Sequence, residues 1–368
     1  MATAGSVAHA QFTPDADANA AGSEEIVLGH GDLRYRLVRD WAKVDRAAAP
    51  VINAHAMVEG RDGRLYLVTD HPANAVLVFA ADGTFLNAIG EGLKGGHGID
   101  VVEIDGEELL VHVDCGWSFP DDRGGKPIKL DGSVNLLRKD GTVVRTLPSP
   151  RKLGLITEDE PYNPCDVAVT RDGDILVIDG YGTNRVYHFT ADGRLVRHWG
   201  GRRSGGDPAS IQNGHGISLE YASDADEPLV WVSSRSESKL KTFTLRGEHL
   251  RTIEIPGTFP GQPVIRDGLI YSGVCWSRQD GVGKRLARSG FVVILDRETG
   301  HVVSAPGGTT PSQVDGRTQP LFQDAEVFRH VHDLMVDDAG NIYVMEWNAG
   351  CRYPFKLELI ESPLDDPS

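Results

Sequence analysis

The sequence predicts an all-β fold, a six-bladed β-propeller, on three observations. A unit of four short strands with Asp-Gly turns recurs along the 368 residues, in repeats of about 40 to 55 residues. Three histidine-led segments, GGHGIDVV (95–102), NGHGISLE (213–220) and HVHDLMVD (330–337), return at intervals of 118 and 117 residues from His97 to His215 to His332. The last unit lacks its fourth strand, and a strand-like segment with no unit of its own, LRYRLVRDWAK (33–43), precedes the first.

The elements follow in order. Residues 1–24 carry no Lys or Arg and no long apolar block, so neither a secretory signal nor a transit peptide is expected there, only a solvated tail. Segment 33–43 is expected to complete the sixth blade and remove an open sheet edge. The blades are expected over about 50–91, 93–147, 161–201, 211–256, 260–305 and 325–360, one domain spanning 25–362, with a short tail at 363–368. The clearest unit is the third, where CDVAVT, RDGD, ILVIDG, RVYHFT, ADGR and LVRHWG alternate strand with turn. The fifth is the least regular, with a long central loop.

Composition narrows the function classes. A formal charge of −16 argues against nucleic acid or an anionic membrane as the main partner, and no run of residues is apolar enough for a membrane span. Cys115, Cys165, Cys275 and Cys351 lie far apart with no CxxC pair, which fits reduced thiols and a cytoplasmic location. No phosphate loop, nucleophile elbow or His-Glu-x-x-His helix is present. A small-molecule substrate is expected.

Aligned on the innermost strand of each blade, the leading residues are His55, His97, Cys165, His215, Gln262 and His332. Blades two, four and six thus set a histidine at one height around the tunnel. Three imidazoles converging with a position left open is the pattern of a catalytic metal site, best matched by zinc, with nickel, copper or iron(II) chemically possible. His55 stands at the same level as an additional ligand, a group behind the ligands or a proton carrier. A single tunnel histidine needs only a backbone partner; three related by symmetry call for a shared ligand.

With these residues in place, the chain resembles NHL-type propellers, and among them the lyase domain of peptidylglycine α-amidating enzymes. The resemblance covers roughly residues 50–360. It implies that His97, His215 and His332 hold zinc, and that Asp333, with the backbone carbonyls of Met57 and Ile99, holds a structural calcium. It implies a catalytic tyrosine at Tyr181 of DGYGTNR (179–185) and a catalytic arginine at Arg235 of VSSRSES. Two departures concern the substrate. Where the family has a further arginine this chain has Asp70 and His71, and Gly182 replaces a disulfide cysteine.

Tyr181 is expected as a general base favoured by a nearby cation, and Arg235 as the anchor for a carboxylate or carbonyl. Loops leaving the second strands of blades two, five and six add Trp117, Trp276, Arg278, Glu346, Trp347 and Arg352 as pocket candidates, alongside Asp70 and His71. The chemistry these parts suit is lysis of a C–N or C–O bond. Rivals are hydrolysis, as of a lactone, by the same metal, an oxidase with a redox-active metal, and a non-catalytic NHL-type binding scaffold.

Overall fold

The alternation of apolar residues with Asp-Gly turns builds six antiparallel sheets around one axis. The computed structural model describes residues 25–119, 126–204, 206–222, 227–281 and 283–360. The expected tails 1–24 and 363–368, and residues 120–125 of the loop after the second strand of blade two, lie outside them. Five sheets have four main strands each, ordered from the tunnel outward. Their inner strands are Ala54–Glu59, Gly96–Ile104, Asp166–Val169, Gly214–Glu220 and Thr258–Arg266, and Val331–Val336 begins the sixth.

Burial follows position in the blade. Second and third strands such as Val76–Phe79 and Ile175–Ile178 are buried along their whole length, because each face packs on a neighbouring blade. Outer strands such as Val143–Thr146 are largely exposed. The apolar residues fall into six clusters, and each cluster joins two adjacent blades. The core is therefore a ring of six interfaces, and no blade has an interior of its own.

The turns explain some of the glycines. Gly83 takes φ +85°, and a Cβ there would lie 1.9 Å from the carbonyl oxygen of Trp41, so this hairpin packs against the incoming chain only as glycine.

The sixth blade closes as the sequence predicts. Leu33–Val38 pairs antiparallel with Phe355–Leu359, from Tyr35↔Leu359 to Val38↔Lys356. The strand is shorter than the 33–43 expected: beyond Val38 the chain crosses to blade one, where Lys43 bridges Thr84 and Trp41 packs on Phe79 and Tyr343. A fifth strand, Val27–His30, adds outside it and was not foreseen, since VLGH is too short to show a period. Among the described residues the four cysteines are free thiols, and no helix is long and apolar enough to cross a membrane.

Tyr35 is fully buried between blades five and six, whereas Arg34 faces solvent. Tyr35→Ala is expected to cost about 3–5 kcal/mol, and Arg34→Ala within about 0.5 kcal/mol of nothing. Urea unfolding read by tryptophan fluorescence checks this. Equal midpoint shifts would mean that the closing strand bears no load.

Candidate metal centre and active site

Each tunnel histidine stands at an irregularity in its strand. The pairing register slips between Ala54 and Ala56, Gly96 and Gly98, Gly214 and Ile217, and Val331 and Asp333. The skipped residues include His55, His97, His215 and His332. A bulge turns the skipped side chain out of the normal alternation, here toward the axis. The glycine after two of them lets inner strands crowd together: a Cβ on Gly98 would lie 2.8 Å from Asp166 Cα, and one on Gly216 only 2.2 Å from Gln262 Cα. Gln262 thus matches Asp166, one place past the ring position. The blade-five member of the ring is therefore Gly261 instead of Gln262, because that strand slips register twice.

This crowding sets the tautomers. His97 Nδ1 lies 2.7 Å from the Cys165 carbonyl, and His332 Nδ1 lies 3.0 Å from the His55 carbonyl. A carbonyl only accepts, so both Nδ1 atoms carry hydrogen and both Nε2 atoms present lone pairs. Those two Nε2 atoms are 3.2 Å apart. His55 Nε2 donates to Asp70 Oδ2 at 3.0 Å, which turns its Nδ1 lone pair toward His332 Nε2 at 3.4 Å.

The ring of His215 closes the group, with centroids 4.8 Å from His97 and 4.6 Å from His332. Ligand atoms of His55, His97 and His332 lie within 4.8 Å of one another. The tightest set thus includes His55 beside two of the three expected ligands, with His215 adjoining.

Lone pairs facing lone pairs repel unless a proton or a metal lies between them. Protons are disfavoured: burial above all pushes His97, His215 and His332 well below the usual histidine value, and neighbouring imidazoles and Arg235 push the same way. The hydroxyl of Tyr181 lies 3.1 Å from His97 Nε2 and 3.0 Å from His215 Nε2, and its single hydrogen serves one of them. The donor set fits a borderline cation such as zinc.

The remaining expected residues divide. Arg235 is buried at the start of the short turn Arg235–Glu237, its Nε donating to the Pro260 carbonyl at 3.1 Å while Nη2 has no partner. Trp117 stacks on Tyr181 at 4.8 Å and 13°, and Trp276 meets Trp347 edge-on at 5.7 Å. His330, not expected, joins that second wall 5.7 Å from Trp276.

Glu346 and Arg352 are both buried and turned toward each other. They pair at 3.1 Å, and the Glu346 carboxylate also accepts the backbone N–H groups of Arg329 and His330. Asp70 likewise turns inward, accepting from the backbone and side chain of Asn53 as well as from His55. His71 is buried beside Asn74. Asp333 and Asp166 are buried carboxyls, each one place past a ring position and so on one level of the tunnel, and burial raises both, Asp166 further through the charge of Asp333.

No protein-family model matches the chain. Over 171 residues, 46% of this chain and 44% of the relative, it is 28% identical to NHL repeat-containing protein 3 of Homo sapiens. The chain is a homologue of an NHL-repeat protein. It spans less than half the length of that relative. A solved gluconolactonase from Xanthomonas campestris superposes over 96% of this chain and 99% of its own, at 14% identity and a TM-score of 0.54, which is kinship of fold. Virginiamycin B lyase from Staphylococcus aureus covers 92% of this chain and 100% of its own, at 14% identity and a TM-score of 0.47. The narrower resemblance to the amidating lyases rests on the histidines, Tyr181 and Arg235 alone.

The depressed basicity of the histidines has a measurable sign. Groups already neutral have no proton to give up, so zinc affinity is expected to change less than about threefold between pH 7.5 and pH 6.0. Competition with a chromophoric chelator measures it. A fall of about tenfold or more per pH unit would mean that the imidazoles titrate near their ordinary value.

Proposed function

We propose that the chain is a metal-dependent lyase that cleaves a small, anionic α-hydroxy amide or a related adduct at the tunnel mouth. The observation that supports this reading is the meeting of imidazole lone pairs and one phenol beside a buried guanidinium with an unused nitrogen. Zinc held by His97, His215 and His332, with His55 as a fourth imidazole, would supply positive charge favouring the ionised forms of a nearby hydroxyl and of the Tyr181 phenol. Burial alone pushes that phenol well up, and Arg235 pulls it down.

In this reading Arg235 Nη2 binds the substrate carboxylate. Tyr181 Oη takes the proton of the substrate hydroxyl. The carbon–oxygen bond becomes a carbonyl, the carbon–nitrogen bond breaks, and the nitrogen leaves with the electron pair. Tyr181 then returns the proton to that nitrogen. Trp117 and Trp276 wall the site and limit water.

The same reading assigns Asp333 and the carbonyls of Met57 and Ile99 to a structural calcium. Asp166 joins them, since its Oδ1 is buried without a hydrogen-bond partner and its Oδ2 accepts from Ile217 N–H at 3.0 Å.

A second reading, hydrolysis of a lactone, is favoured by the Asp70–His55 pair, the sort of arrangement that lets an imidazole take a proton from water and share the resulting charge with a carboxylate. The gluconolactonase with the same fold is consistent with it.

Plasma mass spectrometry of wild type and His215→Ala tests the common premise. About one transition metal per chain is expected in the wild type and none in the variant. Absence from both after zinc reconstitution would leave a non-catalytic binding scaffold. Assays of glyoxylate release from an N-acyl-α-hydroxyglycine and of gluconolactone opening then separate the two chemistries. Lysis predicts that Tyr181→Phe lowers kcat by about 10²- to 10⁴-fold with metal content unchanged. Hydrolysis predicts that loss for His55→Gln and little change for Tyr181→Phe.

A further inference from the structure

Arg235 is one of three guanidinium groups on the blade-five side of the tunnel mouth. Arg278, half-buried, lies 4.3 Å from the centre of the Phe259 ring. Arg285, exposed, lies 4.3 Å from the Trp276 ring and 5.8 Å from Phe259. Arg235 is 5.9 Å from that same Trp276 ring. Three cations therefore share two aromatic rings, and an anion among them would relieve their mutual repulsion.

No carboxylate among the described residues provides that anion. Among the described residues none of the three meets a carboxylate: Glu237 is held by Lys241 and Ser234, and Glu346 by Arg352. Arg235 Nη2 and Arg278 Nε are buried with no acceptor. With 53 acidic against 37 basic residues, countercharge is abundant in this chain, yet no carboxylate among the described residues meets these three arginines. A buried donor without an acceptor is costly to keep, which points to a ligand as its partner.

We propose that Arg278 and Arg285 form a second anion subsite, over Phe259 and Trp276, and that the substrate is a dianion. One carboxylate lies at Arg235 beside the imidazoles, the second at the rim, and a short planar body rests against the Trp276 indole. This inference rests on Arg235 as the substrate anchor. It narrows the substrate class from small acids to small dicarboxylates.

Isothermal titration of the full chain with benzene-1,4-dicarboxylate and with 4-carbamoylbenzoate tests it. The two have the same shape, and the second carries a neutral amide in place of one carboxylate. The dicarboxylate is expected to bind at least about tenfold tighter to wild type. Arg285→Gln, an exposed change, reduces that ratio, and Arg278→Gln with Arg285→Gln brings it to about one.

Equal affinities in wild type, a ratio the double variant preserves, or no binding of the dicarboxylate up to about 10 mM each overturn the subsite. Arg235→Gln separates this from failure of the anchor. If it weakens both ligands in parallel, the anchor holds. If it weakens neither while the double variant still abolishes the ratio, the anchor falls and the rim subsite alone remains. Circular dichroism of each variant confirms that it is folded.

Discussion

The site depends on a hydrogen bond from an imidazole on one inner strand to a backbone carbonyl on the next. His97 gives its Nδ1 hydrogen to Cys165, and His332 gives its own to His55. These bonds determine which nitrogen is bare, aim it at the axis and hold the ring against rotation. They form only because adjacent strands approach within contact, which the bulges and the glycine after His97 allow. Larger side chains at that place would move the strands apart and release the imidazole. The constraint is steric first and chemical second.

The ring of interfaces supplies the second condition. Histidines on blades one, two, four and six meet at one point only if the tunnel has its full circumference, and that is set by six blade contacts in series. The contact between the last blade and the first, where Trp41 and Tyr353 pack with Leu65, Leu67, Phe79, Tyr343 and Met345, is as apolar as the others. The meeting of imidazoles at the axis is in this sense a property of the closed circle. No single blade contains enough of it to act.

The repeat, the closing strand and the convergence of the tunnel histidines were legible in the sequence because period-two alternation, Asp-Gly turns and equal spacing are local patterns. What remained hidden was non-local. Asp70 looked like a pocket group, and only the fold shows it fifteen residues along the chain behind His55, held by Asn53. Glu346 and Arg352 looked equally available, and they pair with each other. The double slip in blade five displaced the alignment by one residue, an irregularity that has no composition of its own. His330 follows an arginine and precedes a valine, so nothing in its neighbourhood signals the aromatic wall it joins.

Closure by the first strand also has a bearing on synthesis. Arg36 bonds to Glu358 across a separation of 322 residues, and Tyr35 pairs with Leu359 one step along the same ladder. A chain made from its N-terminus therefore carries Leu33–Val38 with only Val27–His30 beside it through the making of five blades, until Phe355–Leu359 emerges. Throughout that interval the nascent protein has a bare edge at each end of an incomplete ring. Contacts of such sequence separation are slow to form, so the final pairing is the natural late step of folding and the interval when neighbouring chains compete for the same edge.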